Sequence, residues 1–252
     1  MDSSTFIDNI NAKIRRAYGH IEAIEQILSS SVSPHPNEMR REYDPISHEL
    51  KFYLTQDARV PVEVSIIVGE ALHQLRSCLD HVTWQCASLH GDTEPHKHCS
   101  FPIHTTREAF RAGVNKLHGL TTQDIALLEF VQPFAIDSYR EHPLFRLREL
   151  NNADKHRRLS VVSAISGPQE FSSPDYRDVE AVTDMRIREM KAGGHVFTME
   201  TSNPKVDVNF GVVTIIVFDE ECVDLTEDAV SVLKDIFWYT HAVLRQFVRI
   251  LE

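Results

Sequence analysis

Gly69-Glu70-Ala71-Leu72-His73-Gln74-Leu75-Arg76-Ser77-Cys78-Leu79-Asp80-His81 decides the fold and carries most of the chemistry. Its apolar residues recur at helical spacing, yet Glu70, His73, Arg76, Ser77, Asp80 and His81 interrupt them. A helix packed in a core excludes such side chains unless they are paired or hydrogen-bonded. At about 100° per residue, Glu70, His73, Ser77, Asp80 and Trp84 line one face, with Arg76 beside them. One reading is a solvated face on which Arg76 and Asp80 form an i, i+4 ion pair; the other, favoured by an aromatic and the lack of lysine, is a stripe that is buried or faces a second copy of the chain.

The surrounding helix is predicted over 62–89, with Val64, Ile67, Val68, Ala71, Leu75, Leu79, Val82 and Cys86 apolar. Upstream, Ile7, Ile10, Ile14, Ala17, Ile21, Ile24 and Leu28 alternate steps of three and four residues. They predict an amphipathic helix over 4–31 with a narrow seam, suited to a bundle or a coiled partner. Residues 32–48 are polar and contain prolines, hence loop, while Leu50, Phe52 and Leu54 alternate as a short strand over 49–55. Beyond a histidine-rich loop, 90–104, helices are predicted over 107–117 and 123–131, with Thr122 as N-cap of the second. Pro143 opens another helix, expected to reach residue 165 and to close at Gly167.

The character then changes. Met185-Arg186-Ile187-Arg188 alternates, Gly193-Gly194 turns, and 196–201 returns as a strand. Val206, Val208 and Phe210, then Val213, Ile215 and Val217, alternate again. Val230, Leu233, Phe237, Thr240, Leu244, Phe247 and Leu251 place a heptad-like helix over 227–251. The predicted class is α+β, mainly α. A helical bundle over 1–167 and 224–252 carries a small antiparallel β-meander, 179–220, inserted before the C-terminal helix. The whole is expected to form one domain over 1–252.

The formal net charge of −11 argues against a surface coated for nucleic acid, because non-specific binding comes from Lys and Arg releasing counterions. It leaves room for a local basic pocket. No apolar run is long enough to span a bilayer, and the first residues lack the pattern of a signal peptide. The four cysteines form no CxxC pair, so a cytoplasmic location with reduced thiols is expected.

A second polar run, Asn151-Asn152-Ala153-Asp154-Lys155-His156-Arg157-Arg158, interrupts the apolar stripe of the helix that starts at Pro143. A buried, unpaired Asp154 would be costly, so it needs a cation or a donor. Two readings stay open. In one, Asp154 pairs with Arg76 or Arg158 and locks helix register. In the other, Lys155, His156 and Arg157 stand beside Arg76 and His81 and line a phosphate-sized pocket. Either way, the two polar runs are expected to meet.

Other patterns are weaker. Glu70-x-x-His73 is half of a di-iron carboxylate site, but no second Glu-x-x-His follows, and Glu149-Leu150-Asn151-Asn152 has Asn where His is needed. His96-x-His98-Cys99 matches no zinc module. Ser160 and Ser163 lack a nucleophile elbow, and the glycines build no phosphate loop. No metal or other cofactor is called for.

Arg76-Ser77-Cys78-Leu79-Asp80-His81 resembles the Arg-x4-6-His motif of the HEPN superfamily, small helical bundles that include metal-independent ribonucleases of toxin–antitoxin and phage-defence systems. Ser77 stands where that family usually carries a larger polar residue. The resemblance implies a homodimer whose two copies complete one composite site, with RNA as substrate and an antitoxin as partner. It implies His81 as general acid/base and Arg76 on the scissile phosphate, with attack by the 2′-hydroxyl. His156 would assist catalysis. His73, Ser77, Lys155 and Arg157 would contact substrate, and Asp80, Asn152 and Asp154 would orient the site. Arg76 and His81 lie about 140° apart on an ideal helix, so one helix alone does not converge them. The wider string, with Phe101-Pro102-Ile103, Gln132-Pro133 and Asn152-Ala153-Asp154-Lys155-His156-Arg157, resembles a broad family of uncharacterised bacterial proteins and brings no activity with it. The competing expectation is a non-catalytic helical binding or scaffold protein whose polar cluster fixes its packing.

Overall fold

The computed structural model describes residues 3–30, 39–55, 60–90, 99–156, 161–172, 179–183, 192–206, 209–219 and 227–251. The protein is α+β and mainly α. The helices are α1 (Ser3–Ser30), α2 (Val62–His90), α3 (Arg107–Val114), α4 (Thr122–Phe130), α5 (Pro143–His156) and α6 (Ala229–Leu251). Two antiparallel sheets use β1 (Met39–Asp44), β2 (Glu49–Leu54), β3 (Val161–Ser172), β4 (Val179–Thr183), β5 (His195–Thr201) and β6 (Asn209–Phe218).

The seam of α1 is consumed inside the chain. Ile10, Ile14, Ala17, Ile21 and Ile24 are buried with Val68, Leu72, Leu75 and Leu79 of α2 and Leu233, Phe237 and Leu244 of α6 in one hydrophobic cluster. Of the two uses expected for the α1 seam, a bundle or a coiled partner, the bundle takes it, so these buried residues are not open to a second copy. The stripe on α2 is more open than its composition predicts. Glu70, His73 and Trp84 are exposed, and Ser77 and Asp80 are half-buried. Among the described residues no helix is long and apolar enough to cross a membrane.

Strands do occupy the chain between α5 and α6, but they do not form a meander by themselves. The four-stranded sheet runs β1-β2-β5-β4, so two of its strands come from before α2, and β3 pairs with β6 in a separate ribbon. Residues 39–44, expected as loop, form the edge strand β1. Arg40, Arg41 and Glu42 conceal it, because charges on a half-solvated edge erase the apolar alternation. The β1–β2 turn is set locally: Asp44 Oδ1 accepts from the Ile46 and Ser47 amides at 2.8 and 3.4 Å. His48 follows with φ of 56°. On β2 the predicted alternation holds, with Leu50, Phe52 and Leu54 buried and Phe52 stacked on Phe197 at 4.4 Å.

α5 ends at His156 rather than near 165, and Val161 already pairs with Phe218 as strand. Val161 and Ile165 fall in helical phase with Leu144 and Leu147, which is why the sequence predicts a longer helix, but that phase is a coincidence. Val161-Val162-Ser163-Ala164-Ile165 is rich in β-branched residues, which favour a pleated surface. α4 is capped one residue earlier than expected. Thr121 Oγ1 accepts from the Asp124 amide at 3.1 Å, and Asp124 Oδ2 accepts from the Thr121 amide at 2.8 Å, a reciprocal capping box.

Candidate functional site: a clamped loop and two cavities

The two polar runs meet where α5 crosses α2, and Gly69 makes the close approach possible. A Cβ at Gly69 would lie 2.6 Å from Asp154 Oδ1, so the Asp154 carboxylate rests on the bare backbone of α2. The expected pairing of Asp154 with Arg76 is not made. Arg76 belongs to Asp80, one turn along its own helix: Nη2 to Oδ1 at 2.7 Å and Nε to Oδ2 at 3.3 Å. Arg158, the alternative partner, and Arg157 lie outside the described residues.

This pair grips the backbone of one residue. Arg76 Nη2 donates to the Phe101 carbonyl at 2.8 Å, and the Phe101 amide donates to Asp80 Oδ1 at 2.9 Å. The Phe101 side chain is buried and meets Phe247 edge-on. Residues 99–104 are an irregular segment with no ladder to satisfy them, so their buried polar groups need other partners. Gln132 supplies two, donating to the Pro102 carbonyl at 2.8 Å and accepting from the His104 amide at 2.9 Å. Arg148 Nη1 donates to the Ile103 carbonyl at 3.0 Å. The sequence places Arg148 only near a possible basic pocket and gives Gln132 no role in holding this loop. The segments Phe101-Pro102-Ile103 and Gln132-Pro133 were visible, but their mutual hydrogen bonds arise only in three dimensions.

Between the clamped loop, α2 and α5 lies an open cavity of about 380 Å³. Arg76, Asp80, Arg148, Asn151, Asn152 and Lys155 line it, together with the loop. Asn151 is 2% exposed, and its Oδ1 has no hydrogen-bond partner. Among the described residues Lys155 has no ion-pair partner. Lys155 and His156 sit in the last turn of α5, where a cation offsets the carbonyl end of the helix dipole. His104 lies on the loop side, held below the usual histidine range by burial and by Arg148.

His81 and Ser77 face elsewhere. Lys13 of α1 donates from Nζ to Ser77 Oγ at 2.8 Å and lies 3.3 Å from His81 Nδ1. An ammonium only donates, so Nδ1 accepts and the ring proton sits on Nε2. Burial and Lys13, partly opposed by Asp80, hold His81 below the usual histidine range. In this arrangement neither nitrogen offers a free lone pair to a substrate hydroxyl. His81, Lys13, Trp84, Phe6, Asn9 and Gln85 line a second cavity of about 450 Å³. The expected pair Arg76 and His81 therefore opens into two different cavities of one chain. His73 and His156 are exposed and line neither, and Asn152 and Lys155 stand on the Arg76 side.

Burial pushes the free thiols of Cys78 and Cys86 up to about 12, so both are protonated packing groups. His20 approaches Glu70 at 3.5 Å on the α1–α2 face. Among the described residues no group of three or more His, Cys, Asp or Glu converges on a point that could hold a metal. The loop residues His96 and His98 lie outside the described residues. Fold and site together define a mainly helical α+β protein with a side-chain-clamped loop flanking an open polar cavity. Comparison with protein-family models, with curated proteins and with solved structures finds no match.

Proposed function

We propose that this chain is a non-catalytic helical binding protein in which Arg76 and Asp80 act as a lock. The observation that supports it is the double grip on Phe101: Arg76 spends Nε and Nη2 on Asp80 and the Phe101 carbonyl, and Asp80 also accepts from the Phe101 amide. The Lys13 hydrogen bond adds to it by holding His81 in a form unsuited to general base work.

The test is stability together with activity. Arg76→Ala leaves Asp80 and the Phe101 carbonyl without their partner, and should lower unfolding free energy by about 2–4 kcal/mol. Asp80→Ala should cost a comparable amount, with the double variant well short of the sum. Chemical denaturation reads this, and variants as stable as wild type would remove the lock.

The second reading is the metal-independent ribonuclease or toxin-like protein that the Arg-x4-His resemblance implies. One observation favours it: Arg76 and Lys155 share an open cavity of a size that takes a phosphate-bearing group. His81 would then have to come from the other copy of a homodimer, an antitoxin would cover the site, and a cytoplasmic location would follow. Incubation of purified protein with RNA in EDTA separates the readings. The lock reading expects no cleavage, whereas cleavage lost in both Arg76→Ala and His81→Ala establishes the nuclease.

A further inference from the structure

Gln85 of α2 is 4% exposed, and among the described residues its side-chain amide makes no hydrogen bond. Unlike Asn151 Oδ1, its amide atoms keep some access to solvent, and the residue lines the cavity of about 450 Å³ between α1 and α2. A buried amide left unsatisfied is costly, so such a group normally has a partner. Its neighbours on that wall say what the partner would be. Lys13 Nζ meets only the Ser77 hydroxyl and the His81 ring, both uncharged in this arrangement, and has no ion-pair partner among the described residues. His81, one turn before Gln85, carries its ring proton on Nε2, so it too is a donor. Among the described residues no carboxylate lines the cavity. Asn9, the buried ring of Phe6 and the indole of Trp84, 42% exposed, complete the wall. The space is therefore largely apolar, with N–H donors and one positive charge that lacks a counter-ion.

Resting on the reading of this chain as a binding protein, though not on its Arg76–Asp80 lock, we propose that the α1–α2 cavity binds a small apolar monocarboxylate. The carboxylate accepts from the Lys13 ammonium and from the amide of Gln85. The hydrocarbon body lies between Phe6 and Trp84 and covers indole surface that water otherwise meets. One negative charge matches the one cation. A phosphate ester, close to a dianion at neutral pH, would bring a second charge into a largely apolar space without a partner. An uncharged hydrocarbon would leave Lys13 without a counter-ion. The cavity falls within the size range that small-molecule sites use. Two sources share the chemistry, an aromatic acid and a medium-chain fatty acid.

Calorimetric titration of the full chain with 3-phenylpropionate, octanoate, the primary amide of each and acetate tests the proposal. At least one of the two larger acids should bind with Kd below about 1 mM, and its amide about tenfold more weakly. Acetate should give no heat. Tighter binding of 3-phenylpropionate assigns a ring to the Trp84 wall, and tighter binding of octanoate assigns a chain. Lys13→Met keeps the aliphatic stem and should weaken the preferred acid about tenfold. Trp84→Ala, at an exposed position outside the core, should do the same. Gln85→Met should weaken binding and leave the melting temperature of the ligand-free protein unchanged or higher, because it replaces an unsatisfied amide with an apolar group of similar shape. No binding by either acid, a preferred acid that binds no tighter than its amide, or binding indifferent to both Lys13→Met and Trp84→Ala overturns the proposal. RNA cleavage in EDTA overturns only the non-catalytic reading beneath it, so the two failures are told apart.

Discussion

At Gly69 two residue-scale effects oppose each other. Alanine in the interior of a helix is favoured over glycine by about 1 kcal/mol. Here the added methyl would meet the Asp154 carboxylate at 2.6–2.7 Å, an overlap that core overpacking puts at about 1–3 kcal/mol. Gly69→Ala should therefore destabilise the wild-type chain, while the same change in an Asp154→Ala background should stabilise it by about 1 kcal/mol. Urea denaturation of the four proteins reads the cycle. A gain from Gly69→Ala in both backgrounds would mean that the Asp154 carboxylate swings off α2 at little cost. The same scale explains what was missed around Phe101. Gln132 and Arg148 are unremarkable in the sequence, because donating to the carbonyl of a distant residue leaves no local pattern.

At the scale of elements, α5 begins on a histidine that works only when neutral. The Leu144 amide donates to His142 Nδ1 at 3.2 Å, so Nδ1 is the acceptor and the proton sits on Nε2. That nitrogen lies 3.0 Å from Tyr239 Oη, whose hydroxyl donates to the Val131 carbonyl at 3.3 Å. Burial lowers the His142 pKa from 6.5 to about 4. The unfolded chain thus binds the proton more readily, and stability follows pH with a definite sign. It is fully present above pH 6.5, declines as pH falls toward 4, and loses up to about 3 kcal/mol. His142→Asn keeps a capping oxygen and removes the titration. Denaturation at several pH values between 7 and 4 should show a clearly shallower slope in this variant. His20, His104 and His241 are also lowered by burial, so a slope of the same sign should remain. An unchanged slope in His142→Asn would exclude this residue as the source.

At the scale of the whole molecule, β2 and β5 pair across some of the longest sequence separations in the chain. Their apolar face forms a cluster of its own, with Phe52, Phe197, Leu50 and Met199, apart from the cluster inside the bundle. Both tryptophans, Trp84 and Trp238, lie on bundle helices, so their fluorescence reports the bundle alone. If the chain folds as one domain, Phe52→Ala should cost about 3–5 kcal/mol and lower the fluorescence midpoint as much as the far-ultraviolet circular dichroism midpoint. A fluorescence transition left in place while circular dichroism shifts would mean that the sheet unfolds separately.

How much could be read from the chain follows from the range of each interaction. The amphipathic seams of α1 and α6 and the alternation of β2 are local repetitions, so their periods alone located those elements and the mainly helical α+β class. The polar residues of α2 and α5 likewise announced a meeting point. Tertiary structure decided which of them share a surface. Arg76 and His81, five positions apart, turn to opposite sides of α2. Asp80 rather than Asp154 takes Arg76. The early end of α5 was likewise settled by a partner far along the chain, β6, whereas β1 pairs with the next strand and was hidden only by the charges on its edge. The physical reason is that periodicity reports only which face of an element is apolar, whereas a hydrogen bond or a strand pairing depends on which distant atoms packing brings within about 3 Å.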